Sequence, residues 1–253
     1  MKTFKSQFAA LALALGTTLT LGSAQAAQTS PSVVIVHGAF ADGSDWAKVV
    51  PLLQAKGVSV TVVQNPLTSL ADDVAATRRV LNNQPGKVVL VGHSWGGTVI
   101  TEAGNDKKVS ALVYVAAFAP DAGQTSGEQG KGAPTPPGIS QLKTDSNGFI
   151  YLTPEGMTKD FAQDLPAAQT AVMTATQGPI KASAFEDKVT SSAWKTKPSW
   201  YLLATQDRMI HPDVQRSSAK RIGATLREVN ASHVPQQSQP AAVAKVILDA
   251  VHE

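Results

Sequence analysis

GHSWGG, Gly92 to Gly97, holds a serine between the pairs Gly-His and Trp-Gly, and the rest of the chain is built on it. The apolar run KVVLV (Lys87 to Val91) precedes it and TVITEAG (Thr98 to Gly104) follows, so it reads as a strand that turns tightly into a helix. The bare pattern G-x-S-x-G turns up by chance in roughly one chain in ten of this size, so its context carries the argument. A serine at the apex of such a turn sits on strained backbone, and the chains can pass only if small residues stand two places before and after it. Gly92 and Gly96 meet that demand, and Gly97 eases the helix onto the sheet. Ser94 would then lift its Oγ above the sheet, at the positive end of the helix. A serine hydroxyl is a poor nucleophile unaided. It needs a base, a group that orients the base, and donors for an oxyanion.

SVVIV (Ser32 to Val36) is an unbroken β-branched run, as a strand buried on both faces requires. It ends in HGAFADGSDW (His37 to Trp46), a loop placed to aim backbone N–H groups at Ser94. Ser44 or Asp45 can cap a helix reaching to about Ala55, and Val58 to Val63 is the next strand. Ser69 with Asp72 fits a capping box for a helix to about Asn83. VSALVYVAAF (Val109 to Phe118), PSWYLLATQD (Pro198 to Asp207) and ATLREVN (Ala224 to Asn230) are further strands. Helices are expected over His211 to Ile222 and Pro240 to Val251. Strands alternating with helices mean an α/β fold, a mostly parallel sheet flanked by helices.

Between about 119 and 197 that rhythm fails. Residues 121–138 are polar and rich in Gly and Pro, and a weakly helical segment covers Phe161 to Gln177. A long insertion between two strands of a sheet reads as a lid. Its apolar residues Met157, Phe161, Met173, Phe185 and Trp194 divide between the roof of a pocket and the lid's own core. Phe40, Phe118, Met157, Phe161 and Trp194 are the candidate pocket residues.

Five histidines are available as the base. His93 precedes the serine, so its side chain should point away; His37 ends a strand, His211 starts a helix, and His252 is next to last. His233 follows the last strand in the loop ASHVP, where it can hang over Ser94. The chain order for this architecture is serine, acid, histidine. Asp207 stands directly after the strand ending in Leu203-Ala204-Thr205, 26 residues before His233, and Asp121, after the strand before that, is the competing acid.

The chain has 253 residues, 43% of them hydrophobic and 16% charged, enough for one globular domain with a substantial core. Lys2 and Lys5, the apolar stretch Phe8 to Leu21 and the small-residue site Ala24-Gln25-Ala26 read as an export signal over residues 1–26, leaving 27–253 as the domain. The stretch is short for a membrane span and broken by Gly16, Thr17 and Thr18, so no lasting membrane anchor is expected. Removing two lysines and no acid lowers the formal charge from +3 to +1, and no clustered Lys/Arg face suggests nucleic acid. The absence of cysteine excludes a thiol nucleophile and thiolate metal sites, and no HExxH or similar spacing implies a metal. The expected location is periplasmic or secreted.

With these residues in place the chain resembles the α/β-hydrolase superfamily, and within it the methylesterase and hydroxynitrile lyase family. The resemblance rests on HGAF followed by Trp46, on the elbow with its doubled glycine, and on AAFAPD (Ala116 to Asp121). It rests also on QDRMIHPDVQ (Gln206 to Gln215) and SHVPQQSQP (Ser232 to Pro240). It implies an α/β-hydrolase fold and backbone N–H groups of Ala39 and Trp95 as oxyanion donors, with Phe40 as the alternative to Ala39. The lyases of that family carry a lysine directly after the catalytic histidine; here Val234 stands there, which fits the esterases. The resulting expectation is a serine hydrolase acting on a small-molecule ester, needing no cofactor. A cyanohydrin-cleaving lyase and a binding protein of the same fold remain as alternatives.

Overall fold

The computed structural model describes residues 31–253, so the expected export signal lies outside the described residues. In chain order, β1 (Ser32–Val36), α1 (Val50–Gln54), β2 (Ser59–Val63), α2 (Leu70–Asn82), β3 (Val88–His93), α3 (Trp95–Ala103) and β4 (Val109–Val115) come first. The insertion follows with β5 (Leu142–Thr144), β6 (Phe149–Leu152), the single turn α4 (Pro154–Gly156), α5 (Ala167–Thr176) and β7 (Ile180–Lys181). The chain closes with β8 (Ser199–Ala204), α6 (Pro212–Arg221), β9 (Thr225–Val229), α7 (Pro235–Ser238) and α8 (Pro240–Val251).

Six strands pair in parallel in the order β2-β1-β3-β4-β8-β9. Every residue of β1, β3 and β8 is buried, which is why these strands read as unbroken apolar runs rather than as alternating ones. Alternate residues serve opposite faces. Val34, Val36, Leu90 and Leu112 pack with Val74 and Leu81 of α2 and Val99 and Ile100 of α3. Val33, Ile35, Val91 and Val113 pack with Trp46, Leu53 of α1 and Val243 and Ile247 of α8. Each wholly buried aliphatic side chain contributes about 1.5–3 kcal/mol relative to exposure, so the sheet is held from both sides.

Two expectations need correction. The helix expected from Ser44 or Asp45 to Ala55 is two pieces, a 3-10 turn at Gly43–Trp46 and then α1. Its cap is Asp42, whose carboxylate accepts the Ser44 N–H at 2.6 Å. Pro51 has no N–H to return to the chain four residues back, so one ladder cannot run through both pieces. The insertion, read as polar loop and weak helix, contains the antiparallel sheet β5-β6-β7. Asn147-Gly148 turns β5 into β6, with Gly148 at φ +77° and Asp145 Oδ1 accepting the Asn147 and Phe149 N–H groups. The helix expected over Phe161 to Gln177 begins only at Ala167, after Pro166.

Candidate active site

Ser94 joins β3 to α3 at φ 52° and ψ −119°, a left-handed conformation unusual for any residue but glycine. It is held from both sides: its N–H donates to Val115 O (3.2 Å), and its carbonyl accepts the Phe118 N–H (3.2 Å). The flanking glycines are obligatory. A Cβ on Gly92 would lie 2.5 Å from Gly96 O, and one on Gly96 would lie 2.4 Å from Val36 O. The bent β3–α3 junction therefore passes against β1 only without side chains at these positions.

His233 follows β9 and brings the three expected residues into one hydrogen-bonded row. Its Nδ1 is 2.7 Å from Asp207 Oδ2 and its Nε2 is 2.8 Å from Ser94 Oγ. Asp207 accepts three further donors: the N–H groups of Met209 (2.7 Å) and Ile210 (2.9 Å) on Oδ1, and Gln215 Nε2 (2.7 Å) on Oδ2. With three N–H donors already on it, the carboxylate is an acceptor, so in its contact with His233 it is Nδ1 that carries the proton. Nε2 is then free to accept the serine hydroxyl. The competing acid Asp121 lies elsewhere. It pairs with Lys195 (2.6 Å) and accepts Ser192 Oγ (2.7 Å), and the Lys195 hydrogen bond foremost holds its carboxyl down to about 2.

The two expected oxyanion donors differ from their neighbour in being free. The Phe40 N–H donates to Gly178 O at 3.0 Å, which removes it as the alternative donor. The N–H groups of Ala39 and of Trp95, first residue of α3, have no protein partner among the described residues. Asp45 ties the loop that carries Ala39 to α7. Its buried carboxylate accepts Gln236 Nε2 (2.5 Å) and Gln237 Nε2 (2.9 Å), and burial pushes it up against those bonds.

His93 is closer to this row than its position suggests. It does not bond Ser94, but its ring lies 4.8 Å from that of His233, and its Nε2–H donates to the His233 carbonyl at 2.8 Å. Burial, followed by the neighbouring His233, keeps it neutral by depressing its pKa. His37 is structural: Nε2 accepts the Asn65 N–H (3.0 Å) while Nδ1 donates to Gly38 O (2.8 Å). His211 caps α6, accepting the Asp213 N–H.

The insertion covers the row. Ser94 is 8% exposed and His233 only 1%. Phe161 stands edge-on to the His233 ring (5.1 Å) and to Phe40 (6.2 Å). Two cavities are lined by neighbours of the row, though neither by Ser94, His233 or Phe161 themselves. The larger, about 410 Å³, is lined by Phe118, Phe185, Leu142, Ile150, Met209 and Ile210 among others. The smaller, about 170 Å³, lies between Phe40 and Asp45 on one side and Gln169 and Met173 of α5 on the other. Met157, Phe161 and Trp194, expected in the pocket, line neither; Phe161 is wholly buried against Phe40 and His233. Met157 is wholly buried in the core, and Trp194 donates Nε1–H to Pro120 O with Lys195 and Arg221 over its ring. Both bury their apolar surface within the insertion and against the body of the domain instead.

The model of the alpha/beta hydrolase family matches residues 33–246. A pyrethroid hydrolase of Sphingobium wenxiniae is 27% identical, covering 87% of this chain and 88% of its own. Salicylic acid-binding protein 2 of Nicotiana tabacum is also 27% identical, over 87% and 96% of the two chains. The crystal structure of polyneuridine aldehyde esterase superposes with a TM-score of 0.75 at 22% identity, covering 87% and 98%, and shares the fold. A parallel sheet, a strained serine between β3 and α3, and a family match across nearly all of the described chain agree: the chain belongs to the alpha/beta hydrolase family.

Proposed function

We propose that this protein is a serine esterase, cleaving carboxylic esters through an acyl-enzyme on Ser94. The observation that carries the reading is the hydrogen-bonded row Ser94, His233, Asp207 beside two unpartnered N–H groups. Ser94 Oγ attacks the ester carbonyl as His233 Nε2 takes its proton, and Asp207 stabilises the imidazolium. The carbonyl oxygen becomes an oxyanion that accepts the N–H groups of Ala39 and Trp95. His233 then returns the proton to the departing alkoxide, releasing the alcohol. A water, deprotonated by the same histidine, adds to the acyl carbon, and collapse of the second tetrahedral intermediate frees the acid and the Ser94 hydroxyl.

The relatives named as a pyrethroid hydrolase and as methylesterases support ester cleavage. Val234, buried and uncharged beside His233, places no cation there for a departing cyanide and supports hydrolysis over cyanohydrin cleavage. The apolar cavity of about 410 Å³ is lined by Phe118, Met209 and Ile210, neighbours of the row rather than its members, and is the space for a bulky apolar acid or alcohol group. The Lys2 to Ala26 signal pattern supports export to the periplasm or beyond, to be checked by a mature N-terminus at Ala27.

Steady-state hydrolysis of short and medium p-nitrophenyl esters by the mature protein beside Ser94→Ala tests the reading. The wild type should turn over, and the variant should lose on the order of 10⁶ in kcat. Equal rates for both would refute a serine mechanism.

A further inference from the structure

We propose that Asp73, outside the catalytic row, is a positioning residue that braces both sides of the oxyanion hole; the proposal rests on the esterase reading above. Asp73 belongs to the first turns of α2 and is wholly buried. Its Oδ2 accepts the indole Nε1–H of Trp95 at 2.7 Å, and its Oδ1 accepts the Leu67 N–H at 2.8 Å. No basic side chain pairs with it among the described residues. An ionised carboxylate resting on two neutral donors is a costly way to fill a core position on a helix face whose other buried residues are Thr77 and apolar side chains, since an apolar pair would pack there without desolvating a charge.

What the carboxylate holds explains its presence. Trp95 carries one donor of the hole on its backbone. Pinning the far end of its rigid side chain, which is itself wholly buried and edge-on to Phe185 at 5.3 Å, fixes the start of α3. The Leu67 branch leads to the other donor. Leu67 is held at φ 58°, and while Asp73 takes its N–H, its carbonyl accepts the Lys181 N–H of β7 at 2.8 Å. Three residues before Lys181, the Gly178 carbonyl accepts the Phe40 N–H, next to Ala39. Gly178 is wedged between these partners: a Cβ there would lie 2.8 Å from Leu67 Cδ1 and 2.9 Å from Ala41 O. One carboxylate thus reaches Trp95 directly and the Ala39 loop through Leu67 and the insertion.

Burial, opposed by the two hydrogen bonds, pushes the Asp73 carboxyl up to about 6. Asp72, on the same turn, raises it further, and Trp95 and Leu67 bring no charge of their own. The Asp187 carboxylate of the insertion is engaged nearby by the Leu70 N–H. The brace should therefore weaken as pH falls through that value, because a protonated oxygen no longer accepts equally from both donors.

The test follows the indole N–H signals of the ¹⁵N-labelled mature protein from pH 5 to 8, with Trp95 assigned by its loss in Trp95→Phe. The Trp95 signal should titrate with a midpoint near 6 in the wild type and stay still in Asp73→Asn. In ester hydrolysis at pH 8, Asp73→Asn should lose roughly 10- to 100-fold in kcat with KM within about threefold, less than the full loss of an oxyanion donor. The acid limb of its kcat/KM profile should show one ionisation fewer. Trp95→Phe breaks the same brace from its other end and should lose kcat similarly, which carries the test if Asp73→Asn does not fold. A wild-type indole that does not titrate, or variants with unchanged kcat and only lowered stability, overturns the proposal alone. A wild type inert on every ester overturns the esterase reading and this proposal with it.

Discussion

Gln215 Nε2 lies 2.7 Å from Asp207 Oδ2, the same oxygen that receives His233. Gln215 is wholly buried, and its other contacts are internal: Nε2 also donates to Ile210 O (2.9 Å), and Oε1 accepts the Ala204 N–H (3.2 Å). It therefore fixes the carboxylate plane against the end of β8. Gln215→Met should orphan the Ala204 and Ile210 groups at about 1–3 kcal/mol each and free Asp207 to rotate. Gln215→Glu sets a second carboxylate against the first and should be the worse of the two in kcat. Thermal melts and kcat for the pair check the order; a glutamate variant as active as the methionine one would refute it.

The His93 ring offers a second position close to the chemistry. It supplies the buried donor to the His233 carbonyl, and so holds the loop from which the imidazole hangs. His93→Phe keeps the ring and removes the donor. Stability should fall by about 1–3 kcal/mol for the orphaned carbonyl, and kcat should fall roughly tenfold while KM changes little. A loss of stability with kcat intact would reduce His93 to a packing role.

Asp121→Asn separates the two acids weighed from the sequence. Asp121 is partly exposed and bound to Lys195 and Ser192, with no contact to His233. Its replacement should leave kcat/KM within about twofold, whereas Asp207→Asn should cost about 10⁴-fold through the wrong imidazole tautomer. Comparable losses for both would reopen the assignment of the acid.

These residues also mark where the sequence stops being legible. β1, β3 and β8 announce themselves because a strand buried on both faces is an uninterrupted apolar run, and the glycines around Ser94 are demanded by close backbone approach, within the elbow at Gly92 and against β1 at Gly96. The sheet of the insertion is harder, since Ile150 pairs with Ile180 across a long stretch of chain. A local cue was nevertheless present in Asn147-Gly148 between Thr144 and Phe149. Gln215 stands in a motif legible beforehand, but its role depends on a turn that brings it back to Asp207. Asp73 left a clearer trace. On α2 it shares a buried face with Leu70, Val74, Thr77 and Leu81, and a carboxylate there needs partners that only folding supplies.

Asp73 also makes a prediction about stability, with the opposite sign to its effect on activity. Burial raises its carboxyl from 3.8 to about 6 in the folded chain, so between those values the folded state holds a proton that the unfolded state has released. Stability then falls as pH rises through this window. The loss amounts to about 3 kcal/mol by pH 7, at 1.36 kcal/mol per pKa unit. Asp73→Asn has no such ionisation. The melting temperature of the wild type relative to Asp73→Asn should therefore drop by several degrees between pH 4 and pH 7, and level off above. Over the same range the brace on Trp95 strengthens as the carboxylate forms. A flat difference in melting temperature would mean that Asp73 ionises no differently folded than unfolded. A difference that grows with pH would mean that the two hydrogen bonds outweigh burial and that the carboxylate stabilises the fold it sits in.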